Sequence, residues 1–257
     1  MGIAGGPYVI RDSSLVLDLD ASDKNSYPGS GTTWTDLSGN NNNATLTAAT
    51  SSLPSIEFTR TNNTRATISS LNLSATNVIT IDLWVNFKTL PTVSGYSGDY
   101  TRVICELSDN FNSFTDVFVL IVEYELTGFR WEVANKGNGG TYTGYNIKNL
   151  ITPLPTINTW YNFTVSINNS VASTNPYAFY LNGVTQTNIG TTSNNGLTYD
   201  AQNTNNFGNR IFRIGGRATT TISQDMFLSN FKIYSRALSA TEILQNYNAI
   251  KSRFNLT

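Results

Sequence analysis

The chain has no histidine, a single cysteine, two methionines and only 13% charged residues among its 257. Without a neutral imidazole to take up a proton or hold a metal, serine–histidine–aspartate and cysteine–histidine catalysis are excluded, and most zinc sites with them. One cysteine cannot form an intrachain disulfide. Cys105 sits in the apolar run Val103-Ile104-Cys105, where a small buried hydrophobe is the expected role. The lack of bridges favours folding in a reducing compartment. A formal charge of −1 leaves no basic footprint for a phosphate backbone, so nucleic acid is not an expected partner. No stretch approaches membrane-spanning length, and the opening MGIAGGPYVIRDSS has no basic region followed by an apolar run. Neither a membrane nor classical export is therefore expected. Gly6 stands where an N-myristoylation signal needs Ser or Thr, which removes that reading of Met1-Gly2.

Asparagine, threonine and serine are abundant instead, and these side chains favour turns and exposed strand faces. Such an uncharged polar surface suits extended contacts with neighbouring subunits or sugars. Asn-X-Ser/Thr triplets at Asn43, Asn62, Asn72, Asn162, Asn168 and Asn255 are expected by chance in so Asn-rich a chain and are not read as glycans. With no break in composition, the length points to one large domain, 14–257, after a Gly-rich arm, 1–13.

Alternation dominates that domain. Leu15, Leu17 and Leu19 alternate with Val16, Asp18 and Asp20, and VITIDLWVNF puts Ile79, Ile81, Leu83, Val85 and Phe87 on one face with Thr80, Asp82, Trp84 and Asn86 on the other. Between these, residues 23–44 are dense in Gly, Pro, Asn and Asp and read as a long loop with tight turns. DVFVLIVEYEL is apolar on both faces until Glu123, as for a covered mid-sheet strand. GFRWEV follows it through a turn at Thr127-Gly128. Tyr161, Phe163, Val165 and Ile167 form a buried row, and Asn182-Gly183 is the strongest short hairpin signal in the chain. Trp34, Trp84, Trp131 and Trp160 fall in strands or their flanks and are assigned to packing.

The chain closes with a strand that becomes a helix within three residues. In the strand, Phe227, Phe231 and Ile233 are expected on one face, with Met226, Leu228 and Tyr234 on the other. Ser239 with Glu242 makes a capping box, and Leu238 with Ile243 a hydrophobic staple. Beyond the cap, Ile243, Leu244, Tyr247, Ile250 and Phe254 form an apolar stripe, with Gln245, Asn246, Asn248 and Lys251 on the expected wet side. About twelve to fourteen strands and one certain helix predict an all-β architecture of two sheets.

The succession TWYNFTVSIN, AFYLNGVTQ, FRIGGR, LSNFKIYSRALSATEI resembles the laminin G-like branch of the concanavalin A-like jelly rolls, from about Ser14 to Phe254. The resemblance implies an antiparallel two-sheet jelly-roll sandwich with a short C-terminal helix. The opening LVLDLDASDKNSYPGSGTTWTDLSGNNNNATL and the ending NYNAIKSRF look more specifically like the subgroup found as structural proteins of bacteriophages and related viruses. Relatives commonly bind calcium with an acid from an Asp-X-Ser-Gly loop together with acids in the closing strand. Asp36 matches the first, but the second falls on Ser229-Asn230, where Asn230 offers only a neutral oxygen, and Phe58 is followed by Thr59-Arg60 in place of Asp-Gly. Calcium prefers six to eight oxygens with carboxylates among them. No cofactor is therefore expected, calcium at Asp36 and Asn230 is the ion to weigh, and a turn-forming Asp36 is the plainer alternative.

Catalysis would fall to carboxylates. Glu123 and Glu125 share a strand face as the acid and nucleophile of some jelly-roll glycoside hydrolases do, but Tyr124 stands where those enzymes carry a further acid, and Glu132 lies on the next strand. Sugar binding suits the loop residues Tyr96, Asp99, Tyr100, Tyr142, Tyr145 and Asn146, since sugars stack on aromatics and bond to amides and acids. Packing of these tyrosines against their own loops or a neighbouring subunit is the alternative. The expectation is a non-enzymatic virion structural protein, a capsid decoration, spike or fibre component assembled in the host cytoplasm. Its partners would be copies of itself, other virion proteins and cell-surface glycans; a lectin-like adhesin and then a glycosidase follow as alternatives.

Overall fold

The computed structural model describes residues 8–91, 101–108, 118–125, 128–135, 146–150, 155–170, 177–187, 189–190, 205–217 and 223–256. Side chains are described at all of these except 101, 119, 121–125, 128–135, 146–150 and 189–190. In chain order the strands are β1 (Leu15–Asp20), β2 (Thr33–Trp34), β3 (Ala44–Thr47), β4 (Thr50–Ser52), β5 (Ser55–Phe58), β6 (Arg65–Leu73), β7 (Val78–Phe87), β8 (Thr101–Leu107) and β9 (Phe118–Glu125). There follow β10 (Gly128–Asn135), β11 (Asn146–Leu150), β12 (Trp160–Asn168), β13 (Tyr177–Leu181), β14 (Val184–Gln186), β15 (Ile189–Gly190), β16 (Gly208–Ile214) and β17 (Met226–Tyr234). Helix α1 (Ala240–Ile250) and a 3₁₀ turn, Lys251–Phe254, end the chain's ordered elements. The count exceeds the expectation because segments such as β2 and β15 are two residues long and carry no periodicity.

The strands form two antiparallel sheets. The first runs β14-β13-β12-β7-β17-β5-β4, with β1 also on β17; the second runs β15-β11-β10-β9-β8-β16-β6-β3-β2. Their inner faces meet in one core, to which β7 alone gives Ile79, Ile81, Leu83, Val85 and Phe87, all fully buried. Trp34, Phe118, Phe207, Phe212 and Ile214 enter from the second sheet. The hairpin at Asn182-Gly183 has positive φ at both residues (52° and 75°), as a type I′ turn requires, with Leu181 opposite Val184. Cys105 is buried, and burial pushes its thiol well above the ordinary range, so it packs as a hydrophobe. Among the described residues no helix is long and apolar enough to cross a membrane.

Strand β17 departs from the expected alternation. Leu228 pairs with Val85 and Asn230 with Trp84, so Ser229 is an extra residue, a β-bulge. The bulge reverses the faces. Met226 and Leu228 before it and Phe231 and Ile233 after it all point into the core, whereas Phe227 is half-buried with Lys88 Nζ over its ring. It also changes partner, since β5 pairs with 226–228 and β1 with 230–234. Ser229 fills the junction by donating from its hydroxyl to the Pro54 carbonyl (2.6 Å), while its own carbonyl accepts from the Ala21 N–H (2.8 Å).

Helix α1 begins as its residues require: the Glu242 N–H donates to Ser239 Oγ, and the Glu242 carboxylate accepts the Ser239 N–H at 2.8 Å. Leu238 and Ile243 are buried together with Leu15, Tyr180 and Tyr234. Arg236 then joins this cap to residue 12, donating to both Glu242 oxygens (2.6 and 2.9 Å) and to Asp12 (2.6 Å). The expected faces are overturned at two positions: Asn246, expected on the wet side, is buried, and Leu244, expected in the apolar stripe, is 44% exposed. The helix rests on a polar floor, described below, so the residue it must present there is a hydrogen-bonding one.

Two predictions follow from this packing. Gly215 has φ +88°, and a Cβ there would lie 2.2 Å from Phe58 Cδ1. Gly215→Ala should cost about 2–4 kcal/mol in urea unfolding, from the left-handed backbone and the clash together, and Phe58→Leu in the same chain should recover part of it. Hydrogen bonds from the Ser14 hydroxyl and Arg236 hold Asp12 at about 2, and Arg236 holds Glu242 at about 2, below the ordinary 3.8 and 4.5. Lowered folded-state values mean that this stabilisation is complete above about pH 4.5 and is lost as the pH falls towards 2. Urea midpoints measured from pH 5 to pH 2 should therefore fall, and fall less steeply in Arg236→Gln.

Candidate functional site

The outer face of the first sheet is polar yet buried. On β7 the residues facing away from the core are Thr80, Asp82, Trp84 and Asn86, and register places Ser166, Thr164, Asn162 and Trp160 of β12 beside them. On the other side stand Tyr234, Lys232 and Asn230 of β17, and beyond Lys232 and Asn230 come Asp18 and Asp20 of β1. Thr164, Asp82, Lys232 and Asp18 thus form one row across four strands. Helix α1, the 3₁₀ turn and residues 8–13 cover it.

Each buried carboxylate in this layer has donors. Asp82 accepts from Asn162 Nδ2 (2.7 Å) and Thr164 Oγ1 (3.0 Å) at one oxygen and from Asn246 Nδ2 (3.2 Å) at the other. Asn246 Nδ2 also lies 3.1 Å from the Tyr234 hydroxyl, and its Oδ1 accepts the Ile10 N–H (2.8 Å). Burial, and then the charge of Asp82, push the Tyr234 phenol well above its ordinary range, so it stays protonated and donates to the Ile10 carbonyl (3.0 Å). Asp18 is fully buried between Lys232 Nζ at 3.2 Å and Arg11 at 2.9 Å. Asp20 takes both terminal nitrogens of Arg253, at 2.8 and 3.0 Å. Burial opposes the Asp20 charge, but the bonds and charge of Arg253 outweigh it and hold the carboxyl below its ordinary value. Removing one partner of the fully buried Asp18–Lys232 pair would cost about 3–5 kcal/mol.

Beside the charges lies an aromatic stack. Trp84 is sandwiched between Tyr247 (5.5 Å, 6°) and Phe254 (4.8 Å), and Phe254 continues onto Trp160 (4.2 Å). Where the N-terminal segment, β1, β17 and the chain's last turn converge, a cavity of about 290 Å³ opens, lined by Tyr8, Val9, Arg11, Asp20, Lys232, Ala249, Ile250 and Arg253.

The sequence-predicted residues fall elsewhere. Tyr96, Asp99, Tyr100, Tyr142 and Tyr145 lie outside the described residues. Asn146 opens β11 opposite Asn135. Asp36 has both oxygens engaged: Oδ1 accepts the N–H groups of Asp18 and Ser38 (2.9 Å each), and Oδ2 the Ser38 hydroxyl (2.7 Å) and Asn42 N–H (3.0 Å). Asn230 Oδ1 accepts from Lys232. The two have separate partners, and among the described residues no group of three acidic, histidine or cysteine side chains could hold a metal. Asp36 does the turn-forming work of the plainer reading, binding its loop to β1. Register puts Arg130 of β10 opposite Glu123, Gly128 opposite Glu125, and Glu132 opposite Ile121. The cavity residues were missed. Their only sequence signal is charge at alternate strand positions, Asp18 and Asp20 in β1 and Lys232 in β17, facing away from an apolar row.

No curated protein sequence matches this chain. Among solved structures it is similar to the sialidase of Trypanosoma rangeli in complex with sialic acid, at 15% identity and TM-score 0.60, over 93% of this chain and 33% of that one. It is also similar to the binding domain of botulinum neurotoxin serotype C1 (15%, TM-score 0.60, 92% and 52% covered) and the receptor binding domain of type G (14%, TM-score 0.53, 91% and 51% covered). The chain thus spans about a third of the sialidase and about half of each toxin chain, and at these identities the likeness is one of fold. The family described as the concanavalin A-like lectin/glucanases superfamily matches residues 59–244. That match covers well over half of a sequence already seen to fold as two antiparallel sheets, and the chain belongs to this superfamily.

Proposed function

We propose that this chain is a non-catalytic attachment domain, a lectin-like jelly roll that contacts other proteins on a virus particle and recognises cell-surface glycans. One observation carries the non-catalytic part. The buried carboxylates among the described residues, Asp18, Asp20, Asp36, Asp82 and Glu106, each face cations or hydrogen-bond donors; Glu106 lies 2.9 Å from Arg217 and 3.5 Å from Arg213. A general acid needs a carboxyl raised towards neutrality. Asp12, Asp20 and Glu242 are all shifted the other way. At Glu123 and Glu125, backbone register sets Arg130 across from Glu123.

Glycan recognition is supported by the superfamily and by two structural neighbours that are toxin binding domains. It is also supported by the sequence stretches carrying Tyr96, Asp99, Tyr100, Tyr142 and Tyr145, and by Asn146 at the start of β11, since sugars stack on aromatics and bond to amides and acids. The virus setting rests on the opening and closing segments of the sequence, and it implies copies at fixed stoichiometry on a particle. The test is a glycan array probed with the isolated chain, followed by product analysis of every glycan that binds. Binding without turnover, unchanged in Glu123→Gln, is the expected result. Release of sugar that disappears in Glu123→Gln would replace this reading with a glycosidase.

A further inference from the structure

We infer that the cavity between the N-terminal segment, the β1–β17 edge and the last turn is a binding site for a sugar bearing a single carboxylate, a uronic acid unit or its equivalent. The inference rests on the glycan-recognition reading and names a site and ligand class for it outside the loops. Charge makes the first argument. The groups facing the cavity are Arg11 from the N-terminal segment, Asp20 from β1, Lys232 from β17 and Arg253 from the 3₁₀ turn, with Asp18 bound behind Arg11 and Lys232. Three of the lining residues are cations and one, Asp20, is a carboxylate, while Asp18 and Asp82 lie beside Lys232 in the buried row behind them.

The donors are unequally used. Both oxygens of Asp20 are taken by Arg253, and those of Asp18 by Lys232 and Arg11. Each carboxylate therefore already has a cation partner. A guanidinium carries five N–H donors, and Arg11 spends one terminal nitrogen on Asp18 while its side chain is 53% exposed. A guest with one carboxylate brings a planar pair of acceptors to the N–H groups that Arg11 does not direct at Asp18, the geometry an arginine fork reads best.

Shape makes the second argument. At about 290 Å³ the space lies at the small end of ligand pockets, on the scale of one sugar ring rather than a peptide. Val9, Ala249 and Ile250 supply an apolar wall for the ring's C–H face, and Tyr8, 69% exposed at the lining, supplies an aromatic one. Tyr8 is held through its backbone, whose carbonyl accepts from Gln245 Nε2 (2.7 Å), so its side chain is left to meet a ligand.

The test titrates the full chain with glucuronate, glucose and glucose 6-sulfate, followed by saturation-transfer NMR. Glucuronate should bind at least tenfold more tightly than either other sugar, and Arg11→Gln should reduce its affinity at least tenfold. Tyr8→Ala, which removes only an exposed side chain, should weaken it severalfold, and decides the matter if Arg11→Gln melts at a lower temperature. Equal binding of glucuronate and glucose, tighter binding of the sulfate ester, no binding of any of the three, or unchanged affinity in Tyr8→Ala would overturn the inference. Array binding to neutral glycans alongside such a result leaves the broader reading standing. An array with no signal ends both.

Discussion

A row of charge buried under a helix organises this molecule. Asp82, Lys232 and Asp18 sit side by side on β7, β17 and β1, facing away from the hydrophobic core, where a jelly roll could simply have exposed them to water. Burying them obliges the cover to carry matching groups. Asn246 of α1 meets Asp82, Arg11 of the N-terminal segment meets Asp18, and Arg253 of the last turn meets the neighbouring Asp20. Residues 8–13 and the last turn are thereby fastened to the same face. Arg236 ties residues 8–13 to α1 through Asp12 and Glu242.

The same constraint produces the cavity. A cover made of the N-terminal segment, placed by an ion pair, and of the helix with its last turn, placed by a hydrogen bond and an ion pair, does not close as a single helix would. The gap it leaves has ionic walls on the sheet side and aliphatic walls on the helix side. Trp84, stacked between Tyr247 and Phe254, fixes how far the helix and last turn stand off the sheet. The bulge at Ser229 is part of this arrangement. It turns Asn230, Lys232 and Tyr234 outward while leaving Phe231 and Ile233 in the core.

Much of the fold could be read from local pattern. The ten-residue alternation of β7, the Asn182-Gly183 hairpin and the Ser239–Glu242 cap are each decided by neighbours in sequence, and each stands as expected. What escaped was long-range. The bulge at Ser229 has no glycine to announce it and is required only because β5 and β1 share one side of β17. Asn246 reads as a wet-side residue until Asp82, 164 positions away, is known to lie beneath it. Arg11, Asp18, Lys232 and Arg253 come together only once the order β7-β17-β1 is known. Asp36, matched to a family calcium position, accepts four hydrogen bonds from its own loop and from β1, contacts that its turn chemistry alone could only half foretell.

The proposed attachment role has this jelly roll meet other molecules through surface features made by its folding constraints. The most direct measurement is the amide NMR spectrum of the isotope-labelled chain titrated with an acidic glycan. The account places the shifts at 8–12, 18–20, 232 and 249–253. Shifts concentrated instead on β9 and β10, around Glu123 to Glu132, would contradict it and return attention to the paired acids of the second sheet.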